Sequence, residues 1–250
     1  MPIRISSERF VGRDRMLSQI AVALEAAAGG RGQRLLITGP GGSGVSRLID
    51  ESVLRVGRLS EPFTILRWRA YPGRSLDPYA PVIIGLRSYL GALDQRELVR
   101  IIGPGADALR LLLPELIPER STGPALRVGP DRRAAWIAEA VLGVLERAAD
   151  RQPVLLVLED MHLADAATRS LAVFLARVSR PDRICFVATY GTDRARLDPS
   201  VLADLAAIAD TADPPDRLEL GPMSRDELAQ LITGIEGQKP TAALLLLATE

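Results

Sequence analysis

Apolar residues recur along this chain in two rhythms that replace one another in turn. After Phe10-Val11-Gly12-Arg13-Asp14, Met16, Leu17, Ile20, Ala21 and Leu24 fall at the three-to-four spacing of a helix with one buried face. "GGRGQ" (29–33) interrupts it, and "RLLIT" (34–38) follows as a short unbroken apolar run. Runs of that length without polar alternation predict strands buried on both faces. A glycine-rich loop comes next, then a helical stretch, "SRLIDESVLRVG" (46–57). Further strands are predicted at "FTILRWRA" (63–70), "PVLLVLED" (153–160), "RICFVATY" (183–190) and, shorter, "DRLELGP" (216–222).

Helical patterns separate these strands. From Tyr71 to about Arg127 the chain reads as helices cut by Pro72, Pro78, Pro81, Pro104, Pro114 and Pro118. Arg132 to Ala149 carries Trp136, Ile137, Val141, Leu142 and Leu145 on one face. "AATRSLAVFLARVS" (166–179) and "SVLADLAAIAD" (200–210) are helical, and "SRDELAQLITGI" (224–235) opens on a capping box, Ser224 to Glu227. Strands alternating with helices imply a five-stranded parallel sheet with crossover helices, a three-layer α/β fold. The expected division is an N-terminal segment over 1–30, a core over 31–222 and the start of a helical lid over 223–250. "TAALLLLATE" (241–250) is an apolar helical run without a cap, which suggests a longer natural chain.

Candidate chemistry enters with the loop, "TGPGGSGVSRL" (38–48). A phosphate loop reads G-x-x-x-x-G-K-[ST] between a strand and a helix. Gly39, Gly44 and Ser46 occupy their places, and Val45 stands where the lysine would be. Glycines let several backbone N–H groups converge on one anion, and the helix start adds its positive end. Those contacts survive the loss of a lysine. Arg47, two positions beyond Val45, points roughly 200° away at about 3.6 residues per turn. Alone, the loop reads equally well as a plain strand-to-helix turn. The apolar strand ending in Glu159 and Asp160 shifts the balance toward a site, since such acids hold Mg²⁺ or orient an attacking water.

Composition narrows the classes further. The 250 residues are 47% hydrophobic and carry no formal net charge, so no general field draws nucleic acid or an anionic membrane. Aromatics at 4% supply no base-stacking platform, and the arginines of "RWRAYPGR" (67–74) and "DRR" (131–133) read as solvated or interdomain. Cys185, the single cysteine, excludes an intrachain disulfide and reads as a core residue. The single histidine, His162, lacks the partners of a transition-metal site and reads as a positioning group beside the acids. With no apolar leader and no membrane-length run, a soluble cytoplasmic protein is expected.

Five blocks together resemble the nucleotide-binding domain of the signal-transduction ATPases with numerous domains (STAND), a branch of the AAA+ P-loop NTPase fold. More closely, they resemble large ATP-binding regulators of the LuxR type. The blocks are "FVGRDRMLSQI", "LLITGPGGSGVSRLIDE", "RAYPGRSLDPYAPVIIGLRSYL" with Pro78, Tyr79 and Pro81, "PVLLVLEDMHLADAATRSLAVFLAR" and "RLELGPMSRDELAQLI". The resemblance implies that Val11, Gly12 and Arg13 lie near the adenine of ATP or ADP and that Pro222 packs on the base. It implies that Gly39, Pro40, Gly41, Gly42, Ser43, Gly44, Val45, Ser46 and Arg47 wrap the phosphates. Ser46 and Glu159 would hold Mg²⁺, and Glu159 and Asp160 would be the catalytic pair.

Two departures strip charge from that pattern. Val45 replaces the lysine, and Gly191 stands where the family often has an arginine after its fourth strand; Arg194 is a candidate substitute. Leu163 replaces the usual tryptophan. The expectation is a regulatory ATP/ADP switch with weak or absent hydrolysis, in a multidomain signal-transduction and transcription regulator. Its partners would be the nucleotide, its own C-terminal domains and, in some settings, further copies of itself. DNA would be met only through a helix-turn-helix outside these residues, and no membrane is expected. Two alternatives stay open: a slow ATPase that uses a substitute arginine, and a nucleotide-free scaffold for protein contacts.

Overall fold

The computed structural model describes residues 10–57, 59, 61–73, 78–117, 129–178, 183–195, 198–209 and 216–236. The terminal run 241–250 and the stretch leading to Arg127 lie outside them. Five strands form one sheet: β1 (Gln33–Gly39), β2 (Thr64–Arg69), β3 (Val154–Glu159), β4 (Ile184–Gly191) and β5 (Asp216–Glu219). The order is β2-β3-β4-β1-β5 and each described pairing is parallel. The predicted five-stranded parallel α/β fold is therefore the observed one.

Alternate residues of each strand serve opposite faces, as the two-residue period requires. Leu35, Ile37, Leu155, Val157, Cys185 and Val187 join Leu17, Ile20 and Leu24 of α1 (Asp14–Ala28) and Leu48 and Ile49 of α2 (Val45–Val56) in one core. Leu36, Leu66, Trp68, Leu156, Leu158, Phe186 and Ala188 face the other core. There they meet α3 (Ala80–Gly91), α4 (Gln95–Ile102), α5 (Ala106–Arg110), α6 (Pro130–Ala149), α7 (Ala166–Val178) and α9 (Pro199–Ala209). A four-residue helix, α8 (Thr192–Ala195), follows β4, and α10 (Arg225–Glu236) follows β5.

Two local features fix the second core. Gly85 of α3 lies so close to β2 that a Cβ there would stand 2.1 Å from the Trp68 ring and 2.7 Å from the Arg67 carbonyl. The missing side chain lets α3 press Trp68 into complete burial, which contributes on the order of 2 kcal/mol of apolar transfer. Helix α4 is capped at its start by Asp94, which accepts from the amides of Arg96 and Glu97. At its end Arg147 of α6 donates to the carbonyls of Ile101 (2.6 Å) and Ile102 (2.8 Å). Thus, within the proline-broken stretch after β2, α4 is tied to α6 by side chain as well as by packing. No described helix is long and apolar enough to cross a membrane.

Candidate functional site

The strand order brings four tips together at the carboxyl edge of the sheet, where α/β folds place ligands. Gly39, the last residue of β1, is in register with Gly191 of β4, and Arg69 of β2 with Glu159 of β3. Between β1 and α2 the loop turns through Gly42 (φ 83°) and Gly44 (φ 93°), left-handed conformations that a side chain resists. A Cβ on Gly39 would stand 2.4 Å from Ser43 Oγ and 3.1 Å from Leu220 Cβ. The glycine pattern is thus required by shape. Ser43 Oγ is buried without a hydrogen-bond partner among the described residues. A cleft of about 450 Å³ opens over the loop, lined by Gly39 to Arg47, by Asp160 and His162, and by Tyr190, Gly191 and Asp193.

The loop already holds one carboxylate. Asp193 of α8 accepts from the Gly41 amide at 2.8 Å through Oδ2. An internal acid therefore sits on the backbone as a phosphate oxygen would. The side chain of Arg194, the expected substitute cation, lies outside the described set.

The acids at the β3 tip are engaged differently. Glu159 is 1% exposed, and Arg67 donates to its Oε1 from Nε (3.0 Å) and Nη2 (2.7 Å). Arg67 Nη2 also reaches Asp50 Oδ1 at 2.9 Å. Burial works against the Arg67 charge, but the hydrogen bonds and charges of Glu159 and Asp50 outweigh it and raise its pKa further. Arg69 Nη2 donates to Ser46 Oγ at 3.2 Å and lies 3.6 Å from Glu159 Oε2, while its Nε lies 3.7 Å from Asp160 Oδ2. Both arginines, read from the sequence as solvated or interdomain, belong to the site. The signal was present: residues 65, 67 and 69 share the face of β2 opposite Leu66 and Trp68, and the burial pattern alternates accordingly. The partner strand was not legible.

Asp160 closes β3 in a left-handed conformation (φ 57°) and its amide donates to Thr189 Oγ1 at 3.0 Å. His162 accepts from the Gly191 amide at 3.1 Å through Nδ1. Gly191, standing where the resemblance implies a phosphate-sensing arginine, joins the β3 and β4 tips. Asp165, 6% exposed, accepts from the Tyr79 amide (3.2 Å) and from the amide (2.8 Å) and hydroxyl (2.5 Å) of Thr168. The Pro78-Tyr79-Ala80-Pro81 block is thereby tied to the start of α7. Burial, then the Asp165 charge, raises the Tyr79 pKa.

Val11, Gly12, Arg13 and Pro222 do not line the cleft over the loop; they adjoin it through β5. The Leu220 amide donates to the Thr38 carbonyl at 2.7 Å, and Arg13 Nη2 donates to the Gly221 carbonyl at 2.6 Å. Glu227 of α10 accepts from the amides of Ser224 (2.8 Å) and Arg13 (3.1 Å). It lies so close over Gly12 that a Cβ there would stand 2.3 Å from Glu227 Oε1. Half-buried Val11 and exposed Pro222 flank this junction.

A Mg²⁺ ion needs oxygen ligands at about 2.1 Å. The two residues expected to supply them, Ser46 and Glu159, have Arg69 between them, and Glu159 is further held by Arg67. Among the described residues no group of three or more His, Cys, Asp and Glu side chains could hold a metal. With Arg69 between Ser46 and Glu159, the arrangement as it stands does not fit a divalent cation at that position, and the Gly41 amide of the loop is taken by Asp193.

A family model described as AAA ATPase domain matches residues 9–187. The chain belongs to the AAA ATPase domain family. Solved structures share the fold at low identity. A Walker-type ATPase of Pyrococcus abyssi matches at TM-score 0.52 and 12% identity, over 99% of this chain and 65% of that one. Drosophila ORC bound to DNA matches at 0.53 and 15%, over 99% and 52%. A signal transduction ATPase with numerous domains and a tetratricopeptide repeat sensor, from Pyrococcus horikoshii, matches at 0.51 and 13%, over 100% and 30%. This AAA ATPase domain thus spans between about a third and two thirds of those chains. No curated protein matches the sequence.

Proposed function

We propose that this domain is the ATP- or ADP-binding switch of a larger signal-transduction regulator, of the STAND and LuxR-type kind, and that it hydrolyses ATP slowly or not at all. One observation carries the reading. The loop at the start of α2 turns through left-handed Gly42 and Gly44, a shape that supports amides converging on an anion, while the adjacent acids are paired with Arg67 and Arg69. Binding draws on the loop amides, which need no lysine. Hydrolysis draws on charge control at the terminal phosphate, where Val45 and Gly191 bring no cation. Arg13, Gly221 and Glu227 join the N-terminal segment to α10, so a base bound beside Val11 and Pro222 would report on the lid. The regulator's other domains, transcriptional output, cytoplasmic setting and self-association belong to the same proposal.

The test is calorimetric titration of the 250-residue chain with ADP and with a non-hydrolysable ATP analogue, alongside phosphate release from ATP. Micromolar binding, at about −8 kcal/mol, with negligible turnover is expected. Absence of binding to either nucleotide leaves only the scaffold reading. Asp160, 31% exposed, favours the slow ATPase as the second reading, since water can reach it. Turnover that disappears in Asp160→Asn would establish that reading instead.

A further inference from the structure

We propose that Arg69 is a built-in cation that takes the place of Mg²⁺, so that this domain binds nucleotide independently of divalent metal. The inference rests on the nucleotide-binding reading and names the cation that serves the same site.

The need for a cation follows from charge. Glu159 and Asp160 stand at the tip of β3, and Asp160 lines the cleft over the phosphate loop. Unpaired, two carboxylates there would repel a phosphate chain. In a phosphate loop with lysine and metal, those two cations reverse the repulsion. Here Val45 brings none. Arg67 and Glu159 form a close pair, the acid being 1% exposed, so this acid is neutralised from within. Arg69 then faces the remaining groups at once: the Ser46 hydroxyl at 3.2 Å, Glu159 Oε2 at 3.6 Å and Asp160 Oδ2 at 3.7 Å. Those are the groups through which a metal would have to be held.

The geometry explains two further details. Glu159 Oε2 is buried with no hydrogen bond, and the neighbouring charge is the Arg69 guanidinium. Ser46 Oγ spends acceptor capacity on an N–H donor in place of a metal bond. Arg69 itself is 37% exposed and stands behind the cleft lining, reaching it through Ser46 and Asp160, which do line it. A guanidinium needs no dehydration of a hexahydrated ion and stays charged throughout the accessible pH range.

The deciding measurement is ADP affinity in EDTA and in excess Mg²⁺, by calorimetry on the 250-residue chain, for wild type, Arg69→Gln and Arg69→Lys. Wild type should bind with dissociation constants within about twofold of each other in the two conditions. Arg69→Gln should weaken binding about tenfold or more in EDTA and recover in Mg²⁺, because the vacated position between Ser46 and Glu159 then admits the ion. Arg69→Lys keeps the charge but loses the planar fork, so in EDTA its affinity should fall between those of wild type and Arg69→Gln. Wild-type binding that requires Mg²⁺ by more than about tenfold overturns the proposal while leaving nucleotide binding intact. Equal affinities of Arg69→Gln and wild type in EDTA overturn it as well. Absence of ADP binding by wild type in both conditions overturns the nucleotide reading and this proposal together. The wild-type comparison decides the matter even if Arg69→Gln fails to fold.

Discussion

At the tip of β1 an exposed carboxylate, Asp193, rests on the Gly41 amide; at the tip of β3, beyond one intervening strand, a buried carboxylate rests on guanidinium groups. The two tips share a cleft and differ in what balances their charge. Backbone amides at the loop are fixed by Gly42 and Gly44 and depend little on side-chain identity. The acids at β3 depend entirely on which cations reach them. A sequence can therefore lose the loop lysine and keep anion affinity, whereas one arginine placed between Ser46 and Glu159 changes what the acid tip can hold. On the proposed reading, binding and hydrolysis separate along that line.

The largest effect should come from breaking the acid tip. Arg67→Ala removes both hydrogen bonds to Glu159 Oε1 and leaves a carboxylate 1% exposed with Arg69 at 3.6 Å. A buried charged acceptor left in that state costs about 2–3 kcal/mol. For a chain of this length the melting temperature should fall by roughly 5–10 °C. Pairing it with Glu159→Gln should recover most of the loss, because the uncompensated charge is then gone. Thermal unfolding of the single and double variants forms a cycle, and a single variant that melts like wild type would show that Arg67 is not needed there.

Freeing the loop should do less, and in the other direction. Asp193→Asn keeps the shape and removes the charge that competes with phosphate for the Gly41 amide. Because Asp193 is exposed, the gain in ADP affinity should be about three- to tenfold, near 1 kcal/mol. Unchanged affinity would mean that Asp193 yields to phosphate without competing.

The sequence made the loop and the Glu159-Asp160 tip legible because their chemistry is local: glycines at set spacing, and an apolar run ending in acids. The five strands were legible for the same reason. Arg67 and Arg69 were not. Their role depends on β2 lying beside β3 in a register that pairs Arg69 with Glu159, and on Gly85 letting α3 bury the Trp68 face of β2. Both facts are non-local. Asp193 was equally hidden, since its reach to Gly41 depends on the short turn of α8 that follows β4. His162 was expected to be a positioning group; its contact with the Gly191 amide could not be read from the chain, because it joins strands adjacent only in space.

A third acid, Glu227, lies beyond both tips and is held chiefly by the Ser224 and Arg13 amides, which makes it a control for the comparison. The Ser224 and Arg13 amides lower its pKa below the ordinary 4.5; burial opposes them, and the Ser224 hydroxyl and the Arg13 charge add to them. A folded-state pKa below the unfolded one means that the contribution is full above about pH 4.5 and fades as pH falls through the folded value. Glu227→Gln should therefore be less stable than wild type near neutrality by less than about 1 kcal/mol, the scale of a cap. The difference should shrink toward zero as the wild-type carboxyl protonates. Urea unfolding of the two proteins between about pH 6 and pH 3 reads this directly. A difference that stays constant across that range would show that the Glu227 charge is not what joins Arg13 to α10. A difference that vanishes would show that the Glu227 charge, accepting from the Ser224 and Arg13 amides, is what stabilises this junction.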